Sequence, residues 1–163
     1  MIFFIGMMGA GKSSIGKLLS KKTGLSFIDL DREIVRIEGI SINKVFNLKG
    51  EKYFREIETK TLKTVKSSIC ACGGGILLDQ NNVDFLKDHG ISIFLNAGIE
   101  ELSRRLIDSK NRPIINGKIK KNELKKIWNL REESYLKSAD LIVETENKSK
   151  ELLIHEIKIL LQL

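Results

Sequence analysis

Proline is almost absent from this sequence. Pro113 is the only one among 163 residues, so helices and strands can run without the breaks that proline imposes. Cys70 and Cys72 are the only cysteines, and this spacing in a strand-like segment suits neither a mutual bridge nor a zinc site. The sequence also lacks a membrane-spanning apolar run of roughly 18 to 20 residues and a charged segment typical of a signal peptide. These absences argue against a disulfide framework, a zinc domain and a membrane helix, and we expect a cytoplasmic protein.

Positive charge, in contrast, is in excess. Lys and Arg number 28 against 21 Asp and Glu, a net charge of +7. Such a surplus suits nucleic acid, a membrane surface or small phosphorylated ligands. The densest basic stretch, 118–126, has the spacing of a solvated helix face. The sign of the charge alone does not choose among these three partners. We expect neither nucleic acid nor membrane as partner, and the length of the chain predicts a single domain over 1–163, which we expect to act as a monomer.

Short apolar runs alternate with helical patterns along the chain. This alternation predicts an α/β fold, a five-stranded parallel sheet flanked by helices on both faces, with ligand-binding loops at the carboxyl ends of the strands. Between the second and third strands only helical signals occur, which predicts a helical insertion at about 31–60. The polar stretch at about 108–120 is predicted to be a mobile loop. The predicted strands are 2–5, 27–30, 69–72, 92–95 and 141–143.

A glycine-rich segment follows the first predicted strand. Gly6 to Ser13 reads GMMGAGKS, which fits the P-loop pattern of Gly, any four residues, Gly, Lys and Ser or Thr. Backbone N–H groups at the start of the next helix can converge on phosphate oxygens. Lys12 would reach the β and γ phosphates of ATP and Ser13 would offer its hydroxyl to Mg²⁺; the alternative is an ordinary glycine-rich turn. The predicted ATP-binding residues of this segment are Gly9, Ala10, Gly11, Lys12, Ser13 and Ser14.

Two carboxylates stand where the second predicted strand ends. Asp29 and Asp31 are two residues apart, so we expect both to face the same side of the carboxyl edge, beside the P-loop. One of them can hold Mg²⁺, directly or through water, while the other accepts the proton of an attacking hydroxyl; we assign the metal to Asp29, and Asp31 as the base or as the group that orients the hydroxyl. The alternative is that Asp31 only caps the following helix.

Six motifs now stand in one order along nearly the whole chain: GMMGAGKS, FIDLD, GEKYFREIE, GGG, NRP, and Arg131 with Tyr135. Together they resemble the shikimate kinase family. The resemblance implies a P-loop kinase architecture with a substrate-binding helical insertion and a lid loop. It also implies ATP and shikimate as substrates, Mg²⁺ as cofactor, phosphorylation of the 3-hydroxyl, and a role in chorismate and aromatic amino acid biosynthesis.

The resemblance implies that two arginines grip the carboxylate of shikimate. Arg55, with Glu58 one turn away to orient it, suits this role because its planar fork is bidentate; a surface salt bridge is the alternative. Arg131 falls on the apolar stripe of its helix and should point inward, where a guanidinium needs an anion. An internal ion pair is the alternative there. That stripe comprises Leu124, Ile127, Trp128 and Tyr135, and Trp128 is expected in the core.

Three further assignments follow from the same resemblance. Gly73, Gly74 and Gly75 match the substrate-binding turn, where backbone approaches a ligand closely; a flexible loop is the alternative. Arg112, in the lid, would join Lys12 in stabilising the transferred phosphoryl group. Arg105 would stack on adenine, whereas the alternative makes it, like Arg104, a helix-surface charge.

The chain departs from the family pattern at two positions. Glu133 replaces a proline between Arg131 and Tyr135, and could shift Arg131. Cys72 directly precedes the glycine triplet. Two rival functions remain open on the residues alone: another small P-loop kinase of metabolites, and a nucleotide-binding regulator without transfer activity that acts on nucleic acid.

Overall fold

The computed structural model describes residues 1–108 and 121–163. In this part of the chain, five strands and seven α-helices alternate. The strands are β1 Ile2–Ile5, β2 Phe27–Asp29, β3 Ile69–Ala71, β4 Ile91–Asn96 and β5 Leu141–Glu144. The helices are α1 Lys12–Thr23, α2 Leu30–Glu38, α3 Ile42–Thr64, α4 Gln80–His89, α5 Ile99–Asp108, α6 Lys121–Ser138 and α7 Lys150–Leu160, and a 3₁₀ turn spans Ile76–Leu78.

The strands form one parallel sheet in the order β2-β3-β1-β4-β5. β1 lies at its centre, where Phe3 and Phe4 are fully buried and pair with Cys70 and Ala71 of β3. The predicted five-stranded parallel sheet with flanking helices is confirmed. All five strands end at one edge, so the loop after β1 has β3 and β2 on one side and β4 and β5 on the other.

Short polar and glycine signals set several helix ends where the sequence predicts them. Gly24 and Gly39 end α1 and α2 with positive φ of 77° and 68°, as expected of C-terminal glycines. Ser41 caps α3 by accepting a hydrogen bond from the Lys44 amide. Within α3, Gly50 breaks the helical geometry at φ 82° and ψ 168°. Arg55 therefore lies in a second helical segment that begins after this kink.

The predicted end of the second strand is wrong by one residue. The sequence assigns Leu30 to the strand, but Leu30 begins α2 because the Asp29 carboxylate accepts a hydrogen bond from the Arg32 amide at 3.1 Å. The helix cap is therefore Asp29 rather than Asp31. The predicted third strand is also one residue too long, since β3 ends at Ala71.

The faces of the last helices follow their apolar patterns with one exception. The apolar pattern of α7 includes Leu153, Ile157 and Leu160; the first two are buried, whereas Leu160, the last residue of the helix, is 43% exposed. Trp128 packs against the core, with its ring centroid 6.2 Å from that of Phe94. No helix in residues 1–108 and 121–163 is long and apolar enough to cross a membrane.

Candidate active site

The loop between β1 and α1 forms a tight backbone cradle. Gly9 and Gly11 have φ of 84° and 99°, which side chains with a Cβ rarely adopt. The Ala10 amide donates to the Met7 carbonyl and the Ile15 amide to the Gly11 carbonyl. The loop thus runs directly into the N-terminus of α1, where backbone N–H groups and the helix dipole favour phosphate.

Lys12 is the first residue of α1 and turns back over this loop. Its Nζ donates to the carbonyls of Gly6 and Met7 at 2.7 and 2.8 Å. These contacts keep the cation against the cradle instead of extended into solvent. A phosphate bound on the loop amides would therefore lie beside an ammonium group.

The two acidic residues after β2 have different surroundings. Asp29 is 8% exposed, and its Oδ1 caps α2 by binding the Arg32 amide. Asp31 lies in the first turn of α2, and its Oδ1 would be 3.1 Å from a methyl group added at Gly73. Asp31 therefore faces the glycine triplet. The strand periodicity used to place both carboxylates on one side does not apply, because Asp31 belongs to a helix.

A buried carboxyl holds the first arginine. Glu58 is 1% exposed, and its Oε2 accepts from the Nη1 of Arg55 at 2.7 Å. Glu51 also accepts from Arg55, at 3.2 Å from Nη2. Burial raises the pKa of Glu58, although the positive charge of Arg55 opposes the change. Arg55 is thus held by two carboxylates, and its pair with Glu58 is not a surface ion pair, since the two side chains are 21% and 1% exposed.

The glycine triplet brings the separate groups together. A methyl group at Gly73 would collide with the Glu58 carboxyl, and one at Gly75 would lie 2.5 to 2.8 Å from the Arg55 guanidinium. At Gly74 a methyl group would lie 3.6 Å from both Arg131 Nη1 and the Met8 amide nitrogen of the P-loop. Gly73 and Gly75 therefore leave space for Glu58 and Arg55, and Gly74 brings Arg131 and the P-loop backbone into ordinary contact distance.

Arg131 reaches the same turn from α6. Its Nη1 donates to the Gly74 carbonyl at 3.0 Å, and its charge acts on the pKa of Glu58. The Tyr135 hydroxyl, one turn further on, donates to the same carbonyl. Glu133 does not disturb this arrangement, because it is exposed and pairs with Lys137 at 2.6 Å. α6 is continuous through it.

Arg105 lies on the other side of the P-loop, near the ends of β4 and β5. Its Nη1 and Nη2 donate to the Oγ1 and the carbonyl of Thr145 at 3.0 and 2.9 Å, and its Nε to Glu101 at 2.7 Å. Arg104 instead forms a pair with Glu101 at the surface, where its side chain is 65% exposed. The hydrogen bonds from Arg104 and Arg105 lower the pKa of Glu101 to about 2.

The remaining predicted residues give fewer contacts. The Ser14 hydroxyl donates to the Gly11 carbonyl at 3.0 Å, and Ser13 is half-buried in the first turn of α1. The thiol of Cys72 is buried with its sulfur 4.0 Å from that of Cys70. A hydrogen bond with Cys70 and burial raise its pKa. Arg112, Pro113 and the predicted lid loop lie outside the described residues.

Tyr135 and Thr145, which were not predicted to bind or catalyse, are also part of the site. Tyr135 is 1% exposed, and a buried tyrosine usually needs a partner for its hydroxyl, a signal that the sequence already carried. Thr145 is also 1% exposed and donates to the Asn96 carbonyl at 2.9 Å while accepting from Arg105. It directly follows β5, at the carboxyl edge where ligand loops are expected.

Comparisons with known proteins agree with this geometry. The family model described as shikimate kinase matches residues 8–162. A shikimate kinase of Caldicellulosiruptor bescii is 35% identical over 159 residues, which cover 96% of this chain and 92% of that protein.

Two solved structures are similar over nearly the whole chain. A shikimate kinase from Bacteroides thetaiotaomicron superposes with a TM-score of 0.91 at 32% identity, covering 99% of this chain and 98% of that one. One from Acinetobacter baumannii, in complex with shikimate, gives a TM-score of 0.90 at 32% identity, covering 99% and 92%. The chain belongs to the shikimate kinase family.

Proposed function

We propose how the residues of this site divide the work of the family's reaction, in which the γ-phosphoryl group of ATP passes to the 3-hydroxyl of shikimate. The chain is an ATP-dependent kinase that forms shikimate 3-phosphate and ADP, a step in chorismate and aromatic amino acid biosynthesis. One observation carries the assignment of roles. At the glycine triplet, the P-loop amide of Met8, the Arg131 guanidinium, the Arg55 guanidinium and the Asp31 carboxylate all approach three consecutive residues.

Arg55 and Arg131 bind the carboxylate of shikimate in this proposal. Both reach the triplet from different helices, Arg55 at Gly75 and Arg131 at Gly74. Two guanidinium groups that converge on one turn suit a single anionic group, because each offers N–H donors in a planar fork. We assign the backbone of the triplet to contact with the ring of the acceptor, because residues without side chains let a ligand approach closely.

Asp31 accepts the proton of the 3-hydroxyl, or orients that hydroxyl toward the phosphorus, as transfer proceeds. Its Oδ1 lies against Gly73, one residue from the point where the triplet meets the P-loop. A carboxylate in this position can take the proton released when the hydroxyl oxygen bonds to phosphorus. The electron pair of the broken bond leaves on the β-phosphate oxygen of ADP.

Lys12 and the amides of the P-loop bind the phosphates of ATP on the opposite side of the triplet. The ammonium already lies against the loop, on the Gly6 and Met7 carbonyls. Arg105 is placed beside the loops after β4 and β5 by Thr145 and Glu101, and we assign it to the adenine. Arg112 is assigned to the transferred phosphoryl group from the family resemblance.

Mg²⁺ is the metal of this proposal, held by Ser13 and Asp29. No group of three or more His, Cys, Asp or Glu that could hold a metal occurs in the part of the chain that the structure describes. A sparse donor set of one hydroxyl and one carboxylate fits Mg²⁺, which keeps most of its waters and binds phosphate oxygens. When bound, the ion neutralises charge on the β and γ phosphates. Asp29→Asn is expected to raise the Mg²⁺ concentration needed for half-maximal rate.

The decisive experiment measures ADP release by the purified protein with shikimate, gluconate or a nucleoside monophosphate as acceptor. We expect turnover with shikimate alone. Asp31→Asn should lower kcat by about 10²- to 10⁴-fold, whereas Arg131→Ala should raise the shikimate KM by about 10- to 100-fold and leave the ATP KM within about twofold.

Two results would refute the proposal. Rapid turnover with gluconate or a nucleoside monophosphate, without turnover of shikimate, would indicate another metabolite kinase. Salt-sensitive nucleic acid binding without any shikimate-dependent ADP release would favour a regulator. The single domain over 1–163, the monomeric state and the cytoplasmic location stay predictions.

A further inference from the structure

Tyr135 stands at the junction of the two halves of the site. Its hydroxyl donates to the Gly74 carbonyl and lies 3.9 Å from the Met7 sulfur of the P-loop. The ring is fixed by its neighbours, since its centroid lies 5.1 Å from that of Phe94, with planes 16° apart, and 6.4 Å from that of Trp128. A ring held in this way fixes where its hydroxyl points.

The Gly74 carbonyl is shared by two donors of α6. Arg131 Nη1 donates to it at 3.0 Å, and Tyr135 Oη donates as well. A carbonyl oxygen has two lone pairs and can accept both bonds. Arg131, however, must turn at least part of its fork toward the carboxylate of the acceptor. A carbonyl left without a donor in a closed site destabilises the bound state.

We propose that Tyr135 is a positioning residue whose hydroxyl keeps the Gly74 carbonyl bonded when Arg131 engages the carboxylate of shikimate. This inference rests on the proposed function, because it concerns the same acceptor site. Tyr135 acts through Gly74 and Arg131 and does not touch the acceptor. Burial raises its pKa to about 12, so it remains a donor across the neutral range.

Tyr135→Phe tests the proposal because phenylalanine keeps the stacked ring and removes only the hydroxyl. The Gly74 carbonyl then depends on Arg131, which becomes less available to the acceptor. We expect the shikimate KM to rise about tenfold and the ATP KM to change less than about twofold. Tyr53→Phe is the matched control: its hydroxyl donates to Glu38 at the end of α2, and the shikimate KM should be unchanged.

A merely structural role would raise both KM values or lower the melting temperature without this selectivity. The Arg131→Ala background separates the mechanisms further. With Arg131 removed, Tyr135→Phe should change the shikimate KM by less than about twofold, because the two changes act on one contact. A full tenfold effect in that background, or an unchanged shikimate KM in the single variant, would overturn the inference.

Hydrogen exchange of residues 73–78 in the ligand-free protein gives a readout independent of turnover. Tyr135→Phe should speed exchange in this turn and leave exchange in β1 and β4 unchanged. If the wild-type protein released no ADP with shikimate, the proposed function would fail by itself. Unchanged exchange in the turn would show that the Tyr135 hydroxyl does not stabilise Gly74, and this result would refute the inference regardless of which acceptor the enzyme uses.

Discussion

Glycine serves two different purposes in the two halves of this site. In the P-loop, Gly11 has φ of 99°, and a methyl group there would meet only Ile15 and Ser14 at an ordinary 3.7 Å. In the triplet, Gly75 has φ of −107°, which any residue adopts, but a methyl group would lie 2.5 to 2.8 Å from the Arg55 guanidinium. Gly11 is therefore needed for backbone shape alone, whereas Gly75, like Gly73, is needed for space.

This difference explains why substitutions of the same type should fail in different ways. An alanine in the P-loop strains the backbone, which lowers stability and distorts the phosphate cradle together. An alanine at Gly73 or Gly75 leaves the backbone unstrained and displaces a charged side chain of the site. Kinetic and thermodynamic measurements on matched Gly→Ala variants can therefore separate the two halves.

Gly73→Ala is expected to have the largest effect. The added methyl group would collide with Glu58, which is buried and cannot move into solvent, and would lie 3.1 Å from Asp31 Oδ1. Glu58 would have to shift by about 1 Å and Asp31 by a few tenths of an ångström, and this misplacement around the proposed base should lower kcat by roughly 100-fold. The measurement is kcat under saturating ATP and shikimate, with the melting temperature recorded alongside. A variant with full kcat would mean that Asp31 does not depend on this turn.

Gly11→Ala comes next and should act on stability. Forcing a residue with a Cβ to φ of 99° is expected to lower the free energy of unfolding by about 1 to 2 kcal/mol and to raise the KM for ATP more than that for shikimate. Urea unfolding and the two KM values check this. Gly11→Asn is the control, because asparagine tolerates positive φ better than alanine. Equal losses in the two variants would show that volume, rather than φ, is limiting.

Gly75→Ala should have a smaller and more selective effect. The methyl group pushes against the far end of the flexible Arg55 side chain, which can shift without unfolding the protein. We expect the shikimate KM to rise about tenfold, as for partial loss of one charge-assisted contact, with kcat and the melting temperature nearly unchanged. A loss of stability as large as that of Gly11→Ala would contradict the view that Gly11 is needed for its backbone conformation and Gly75 only for the space beside Arg55.

The fold was largely predictable because its signals are local. Gly24 and Ser41 mark helix ends through contacts within four residues along the chain, and the strands are short apolar runs between helical patterns. The error at Leu30 shows the limit of periodicity. One carboxylate at Asp29 caps a helix and overrides the strand pattern, and nothing in the apolar spacing reveals which of two nearby aspartates will do so.

The parts of the site that come from one short segment of the chain were easier to predict than the parts that join distant segments. Gly6 to Ser13 forms the cradle by itself, so its motif predicts its structure. The acceptor half joins Asp31, Glu58, the triplet and Arg131, with Arg131 57 residues from the Gly74 carbonyl it binds. Only the family resemblance could bring such distant residues together. The role of Tyr135 depends on which carbonyl its hydroxyl reaches, and no motif gives that.

The smallest predicted effect concerns the carboxyl that the triplet accommodates. Burial raises the pKa of Glu58 above its ordinary value of 4.5, against the attraction of Arg55. The native state therefore binds this proton more tightly than the unfolded state does. The stabilising contribution of the group is fully present below pH 4.5 and is lost as the pH rises through the raised native pKa.

Glu58→Gln removes this titration and keeps the shape of the side chain. Urea unfolding of both proteins between pH 4 and pH 8 should show wild-type stability falling relative to the variant as the pH rises, and then levelling. If stability changed with pH in the same way in both proteins, the charge of Arg55 would fully offset the effect of burial on the pKa of Glu58. If wild-type stability instead rose relative to the variant with increasing pH, the attraction between Glu58 and Arg55 would outweigh the effect of burial. Glu58 would then act mainly as the counterion of Arg55.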